Sequence, residues 1–212
     1  MSRTLLVFGG RSTALEIAET AKLHHSDEFS QVFLVVGDSE DEPPGGHLRE
    51  KELGEFVAKQ QVTPGFILSM WNQRIRQHCL NIAKDHALAP ATVVHPMAFV
   101  SPTASLGHGT YIAAHGVVST NAVVEDHVIV NFNVTVGHDS RIGTHSMLNP
   151  GVRISGNVSI GERVLVGANA FVFQGKSVGS DTLIDALTYI DRDIPERQIC
   201  SSKQLKVFKR IV

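Results

Sequence analysis

From Val94 onward an aliphatic residue returns at every sixth position. Val94, Val100, Leu106, Ile112, Val118 and Val124 begin a series that runs to Ile190, seventeen members without a gap. The fifth place of each six is mostly small (Ala98, Ala104, Thr110, Gly116, Ala122, Ser140, Ser146, Ala170), and the second is often glycine (Gly107, Gly137, Gly143, Gly161, Gly167, Gly179). A period of six matches neither the helical repeat nor the strict alternation of a half-exposed strand. It fits coils of short parallel strands, in which one inward aliphatic residue per strand stacks on its equivalent a coil away, about 4.8 Å distant. On this reading glycine and asparagine occupy corners, where the backbone turns or takes a positive φ.

The first 93 residues follow another pattern. Residues 4–10 read as a buried strand ending in glycines, and 12–25 as a helix with Leu15, Ala18 and Ala21 on one side. Residues 31–37 form a second strand closed by Asp38, and 43–46 a Pro-Gly loop. A charged helix is expected over 48–60, a third strand over 65–69, and a helix over 72–86 with Ile75, Cys79 and Ile82 on its apolar stripe. Strands alternating with helices imply a small, Rossmann-like parallel sheet with helices on its faces. The expected division is therefore 1–93 as an α/β unit, 94–195 as the repeat, and 196–212 as a basic C-terminal segment. That segment carries Arg197, Lys203, Lys206, Lys209 and Arg210, which read either as a solvated end or as cations near a phosphate-bearing cofactor.

Composition supports the division. A chain of 212 residues allows one large domain or two small ones. Aromatic residues make up only 6%. Of 25 valines, 16 lie between Val94 and Pro195, as expected where each strand accepts one aliphatic side chain. A net charge of −2 offers no basic field for a nucleic-acid backbone. Two cysteines, Cys79 and Cys200, are too few for a disulfide framework and suggest reduced thiols in a cytoplasm. The apolar run 5–8 is too short for a signal peptide or a membrane span. Histidine is unexpectedly common at 11, and six lie in the repeat.

One stretch of the repeat carries chemistry. Asn131 is followed by His138-Asp139, then Ile142-Gly143, Pro150-Gly151, and Gly156-Asn157-Val158 with Ile160-Gly161. An imidazole suits proton abstraction near neutral pH, and an adjacent carboxylate can fix its tautomer and stabilise the imidazolium. Neighbouring residues on a strand point opposite ways, so the pair needs a turn or a subunit contact to meet. Gly156 lies one coil beyond His138 and leaves room beside the imidazole; Asn131 stacks under Asn149.

This stretch, following a small α/β domain, resembles the bacterial sugar acetyltransferases of the sialic acid O-acetyltransferase and bacillosamine N-acetyltransferase type. The resemblance implies a left-handed prism and a homotrimer with sites between subunits. It also implies acetyl-CoA as co-substrate, no metal, and an amino or hydroxyl group of a sugar, often nucleotide-linked, as acceptor in glycan biosynthesis. It makes His138 the general base, Asp139 its partner and Asn131 a substrate-orienting residue. Gly143, Gly156, Gly167, Ala168 and Ala186 fall where small residues line the pantetheine arm, Ala186 standing where glycine is usual. A backbone N–H, that of Gly156, is the expected group to polarise the thioester carbonyl. Gly9, Gly10 and Arg11 replace a glycine-rich, His-bearing acceptor loop, with Arg11 offering a guanidinium fork, and Asp38 matches an acid that contacts base or ribose.

The chain departs from the pattern at Met147, where a second His is usual, with His145 two residues earlier. It departs again at Asp185-Ala186-Leu187 and at Cys200–Lys203. Two rival readings use the same prism. One is a metal-dependent carbonic anhydrase, for which His127 and His145, one coil apart, supply two ligands, but which lacks that family's His pair five residues apart. The other is a trimeric scaffold without catalysis.

Overall fold

The computed structural model describes residues 2–202. Its N-terminal unit has the order β1 (Arg3–Phe8), α1 (Thr13–His24), β2 (Phe29–Val36), β3 (His47–Arg49), α2 (Leu53–Ala58), β4 (Gly65–Leu68), α3 (Gln73–Asp85) and β5 (Ala89–Pro90). The strands form one parallel sheet in the order β3-β2-β1-β4-β5. The order reverses between β1 and β4, so the loop after β1 lies at the switch point where such sheets bind ligands.

Two expectations change here. The helix expected from residue 48 begins only at Leu53; His47–Arg49 is instead an edge strand beside Leu34–Val36, followed by one 3₁₀ turn, Glu50–Glu52. A three-residue edge strand with one aliphatic residue carries too little pattern to be told from a charged helix. On α3, Ile75 is 47% exposed, while Arg76, Cys79 and Ala83 are buried. Asn72 caps this helix, its side-chain oxygen accepting from the Arg74 and Ile75 backbone N–H groups.

From Val93 the chain forms a left-handed parallel β-helix of two-residue strands. Strand partners lie 18 residues apart, as in Val117 with Thr135 and Thr135 with Arg153, so three hexads make one coil. Face I holds Tyr111–Ile112, Ile129–Val130 and Met147–Leu148; face II holds Val117–Val118, Thr135–Val136 and Arg153–Ile154; face III holds Val123–Val124, Arg141–Ile142 and Ser159–Ile160. The second residue of each strand is the repeating aliphatic one, and from Ile112 to Ile190 these side chains are almost completely buried in a single core. Each such burial contributes roughly 1.5–3 kcal/mol. The last coil is short, since Ile194 pairs with Val178 and Ile199–Cys200 with Leu183–Ile184. The prism thus reaches into the residues assigned to the basic segment. Arg197 is described there; Lys203, Lys206, Lys209 and Arg210 lie outside the described residues.

The corners separate two duties that sequence reasoning had merged. Positive φ belongs to the fourth place of the hexad, at His115, Asn121, His127, Asn133, Asp139, His145, Asn157 and Asn169 among others. Asn, Asp and His tolerate this region best among residues with side chains. Glycine in the second place answers a different demand. A Cβ on Gly137 would stand 2.4 Å from the carbonyl carbon of Ser155, and one on Gly167 2.3 Å from the Ala186 nitrogen. There the backbones of successive coils approach too closely for a side chain.

The two units share a core, in which α1 and one side of the sheet pack on Val93, Tyr111, Ala113 and Ile129 of face I. The Thr20 and Tyr111 hydroxyls meet at 3.3 Å, and His25 Nε2 donates to the Val94 carbonyl at 2.8 Å. Arg76 is the buried polar link from α3. It donates to the Met70 carbonyl (2.6 Å), to the His127 carbonyl, and to His145 Nδ1 (3.4 Å). Among the described residues no helix is long and apolar enough to cross a membrane.

Candidate active site

His138 and Asp139 occupy the corner between faces II and III. The left-handed conformation of Asp139 (φ 56°) turns its side chain back toward its predecessor, which supplies the geometry an extended strand denies. His138 Nδ1 donates to Asp139 Oδ2 at 2.7 Å. The donor must be the ring nitrogen, because an ionised carboxylate only accepts. In the neutral ring this makes Nε2 the nitrogen without a proton, the one that can act as a base. Both side chains are about half exposed, at 50% and 46%. Hydrogen bonds from His138 and then Asn121 hold the Asp139 carboxyl below its ordinary range.

Asn121 is the residue that sequence reasoning missed. It stands 18 residues before Asp139, and its Nδ2 donates to Asp139 Oδ1 at 3.0 Å. Its signal in the sequence is the 18-residue separation, one coil, from the acid. On the other side lies Gly156, where a Cβ would come 2.4 Å from His138 Nε2 and 2.6 Å from Cε1. The space a Cβ would take at this glycine is filled by the imidazole itself.

The other expected site residues divide among the corners. Asn131, Gly167, Ala168 and Ala186 lie at the corner between faces I and II, with Asn131 buried at 3% exposure. Within one chain that corner is separate from the one bearing His138. Gly143 lies at the third corner, between faces III and I, where a Cβ would stand 2.5 Å from the carbonyl carbon of Gly161 on the next coil. It is not brought to the other site residues. Met147 lies on face I and packs against the N-terminal core, so a polar ligand at this place would enter an apolar contact. His145 does not take over its role, because its ring faces Arg76.

The His127 and His145 rings stack in parallel at 5.1 Å. Burial first, and then the Arg76 guanidinium, push both down to about 4. The pair that a metal reading would use thus sits beside a fixed cation at the domain junction. Among the described residues no group of three or more His, Cys, Asp or Glu side chains is placed to hold a metal ion.

The loop after β1 makes a second candidate region. Gly9 adopts φ 122°, and a Cβ there would lie 2.3 Å from the Ser69 hydroxyl, which itself donates to the Phe8 carbonyl at 2.7 Å. Gly10 and Arg11 line a cleft of about 380 Å³ with Ser39, Glu40 and Asp41. The Arg11 fork is occupied by Asp41 at 2.5 Å in a solvent-exposed ion pair, a contact of small worth that a phosphate can displace. Asp38 accepts from the Lys51 backbone N–H at 3.3 Å, which gives it a structural duty at the 3₁₀ turn.

Fold and corner chemistry together define a hexapeptide-repeat protein with a Rossmann-like N-terminal domain. Residues 139–174 match the family model described as bacterial transferase hexapeptide (six repeats). Among solved structures, the chain is similar to a mutant perosamine N-acetyltransferase from Caulobacter crescentus in complex with CoA and GDP-perosamine. That match has 25% identity over 97% of each chain and a TM-score of 0.83. It is also similar to the acetyltransferase domain of PglB from Neisseria gonorrhoeae in complex with acetyl coenzyme A, with 28% identity over 94% of this chain and 96% of that one, and a TM-score of 0.83. WeeI from Acinetobacter baumannii shares the fold at 15% identity and a TM-score of 0.70. No curated protein matches the chain in sequence comparison. The resemblance read from residues 131–167 to hexapeptide-repeat sugar acetyltransferases therefore holds along nearly the whole structure.

Proposed function

We propose that this chain transfers the acetyl group of acetyl-CoA to an amino group of a nucleotide-linked sugar, with a hydroxyl as the alternative acceptor, in glycan biosynthesis. The observation that carries the reading is the chain Asn121–Asp139–His138, which leaves Nε2 bare and held beside Gly156. His138 Nε2 takes the proton of the acceptor nitrogen as that nitrogen attacks the thioester carbonyl. The imidazolium then returns the proton to the departing CoA sulfur as the C–S bond breaks and the amide forms. Asp139 stabilises the imidazolium between these steps, and the Gly156 N–H is the proposed donor to the oxyanion. The relatives' bound CoA, acetyl coenzyme A and GDP-perosamine support the donor and the acceptor class.

We further propose a homotrimer in the cytoplasm. Face I is covered over its first coils by the N-terminal unit, and the outward row of face III is mostly polar, with Ser105, Arg141, Ser159 and Ser177. Face II instead presents Phe99, 57% exposed, Tyr189, 54% exposed, and Phe171 stacked on Tyr189 at 5.4 Å. If three copies turn face II toward a common axis, the two corners that flank it meet those of the neighbours. Every expected prism site residue except Gly143 lies at one of these two corners. An axis parallel to the prism keeps each coil at its own height, so Asn131 of one subunit meets the coil bearing His138 of the next. The mass in solution tests the assembly. For the chemistry, thiol release from acetyl-CoA is followed against nucleotide-linked amino sugars, with product masses. His138→Ala should lower turnover at least about 100-fold; undiminished transfer overturns the mechanism.

A further inference from the structure

The cleft between α1 and the corner joining faces I and II is not used by the chemistry above. It encloses about 270 Å³ and is lined by Glu16, Glu19, His24, His95, Tyr111 and Phe132, among others. Most of its polar groups have a partner or face water, as His24 does. Tyr111 is engaged by Thr20. His95 Nδ1 accepts the Met97 backbone N–H at 3.1 Å, and its ring meets that of His24 edge to face at 5.2 Å. Glu19 is exposed to water. Glu16 Oε2, by contrast, is shielded from solvent and has no hydrogen-bond partner. Burial raises the Glu16 carboxyl above its ordinary range. A shielded carboxylate oxygen without a donor is costly unless a proton or a cation completes it. Lys22 lines a different cleft, with Leu15 and Pro44, so α1 brings no lysine or arginine here, and its His24 is exposed to water.

We propose that this cleft receives the charged amine of the acceptor sugar, with Glu16 the residue that pairs the ammonium and thereby selects amines over hydroxyls. The inference rests on the acceptor reading above. Phe132 and Leu23 supply an apolar wall for the face of a sugar ring. Phe132 directly follows Asn131, on the same coil as His138, so in the threefold arrangement the cleft opens at the height of the neighbouring subunit's base. The acceptor enters as an ammonium paired to Glu16, passes that first proton to the Glu16 carboxylate, which releases it to water, and attacks as the neutral amine, its second proton going to His138 Nε2 as above.

The test is calorimetric binding to the full chain without acetyl-CoA. The probes are GDP-perosamine and the congener that carries a hydroxyl in place of the amine. Wild type should bind the amine about tenfold or more tightly than the hydroxyl, the worth of a hydrogen bond to a charged group. Glu16→Gln should bring the two affinities together with the hydroxyl congener's affinity unchanged. Glu19→Gln, on the exposed side, should keep the discrimination. Equal affinities in wild type, or full discrimination in Glu16→Gln, overturn the cleft assignment and leave the acetyltransferase reading standing. Binding of neither probe, and of none of a wider panel of nucleotide-linked amino sugars, overturns the acceptor reading and this inference with it.

Discussion

Gly156→Ala offers a sharp test of how the catalytic imidazole is held. The glycine φ is not in the left-handed region, so alanine meets no backbone penalty there. The three nearest atoms all belong to the ring, at 2.4 Å for Nε2, 2.6 Å for Cε1 and 2.9 Å for Cδ2. Ordinary carbon contacts begin near 3.5 Å, so the ring must withdraw by about 1 Å. His138 is half exposed and can swing outward, but doing so opens the 2.7 Å bond to Asp139 and moves Nε2 from its station. A displacement of that size costs about 100-fold in a reaction that depends on near-attack geometry. The expected result is a fall of about that size in kcat, with KM for acetyl-CoA and the melting temperature close to wild type. Steady-state kinetics at saturating acceptor, with thermal denaturation beside them, read both. A raised KM for acetyl-CoA with kcat unchanged would show that the glycine serves the thioester arm instead. Unaltered kinetics would refute the reasoning altogether.

Two further outcomes follow from the same geometry. Asn121→Ala removes the donor to Asp139 Oδ1, so the Asp139 carboxyl should move back toward its ordinary range and kcat should fall roughly fivefold with KM for acetyl-CoA unchanged; Asn121→Asp, which sets two carboxylates together, should be worse, and wild-type turnover in both would remove Asn121 from the site. His127 and His145 bind protons less readily when folded, at about 4 against 6.5, so the unfolded chain holds more protons between these values. Their stabilising contribution is thus present above about pH 6.5 and is lost as pH falls toward 4, with a slope of up to about 1.4 kcal/mol per pH unit for each histidine. Urea denaturation at pH 7 and pH 5 should show the lower midpoint at pH 5, and Arg76→Met should shrink the difference.

What the sequence disclosed depended on whether a residue's environment is set locally. The prism was legible because each sixth residue must point inward whatever its neighbours do, so Val136 and Ile154 announce their burial one at a time. The corner assignments were half legible. Separations that are multiples of 18 place residues on one corner, which joins His138 to Gly156 and Ala168 to Ala186; Gly143 satisfies no such count with His138, and the structure sets it apart. Arg76 was opaque. A basic residue on a predicted helix reads as solvated, and only the docking of α3 on the prism shows it buried at 1% exposure between two histidines. The edge strand at His47–Arg49 was lost for a related reason, since what makes it a strand is Leu34–Val36 across the sheet.

Half of the six histidines in the prism owe their place to stereochemistry. His115, His127 and His145 all occupy the fourth place of a hexad, with φ between 57° and 63°. At that place the corner favours glycine or a residue whose short polar side chain tolerates left-handed backbone, and the chain otherwise fills it chiefly with Asn and Asp, with Arg163 and Leu187 as exceptions. Asp139 is drawn from this same set. Its carboxylate reaches His138 because the corner bends it there, and it meets Asn121 because Asn121 fills the equivalent corner one coil before. A rule that exists to let the backbone turn therefore also places an acid beside whatever precedes it and an amide behind it. Given that scaffold, a base at the third place requires two further features: a histidine, and a glycine on the next coil so that the ring can lie flat against the prism. His138 has that glycine in Gly156. His108, the other histidine in a third place, is followed by Gly109 instead of an acid and has Asp126 in place of a glycine one coil on, whose Oδ1 accepts the His108 backbone N–H at 2.7 Å. Six histidines in the prism thus reduce to one whose surroundings make it a base, and what singles it out is the pair of corners on either side.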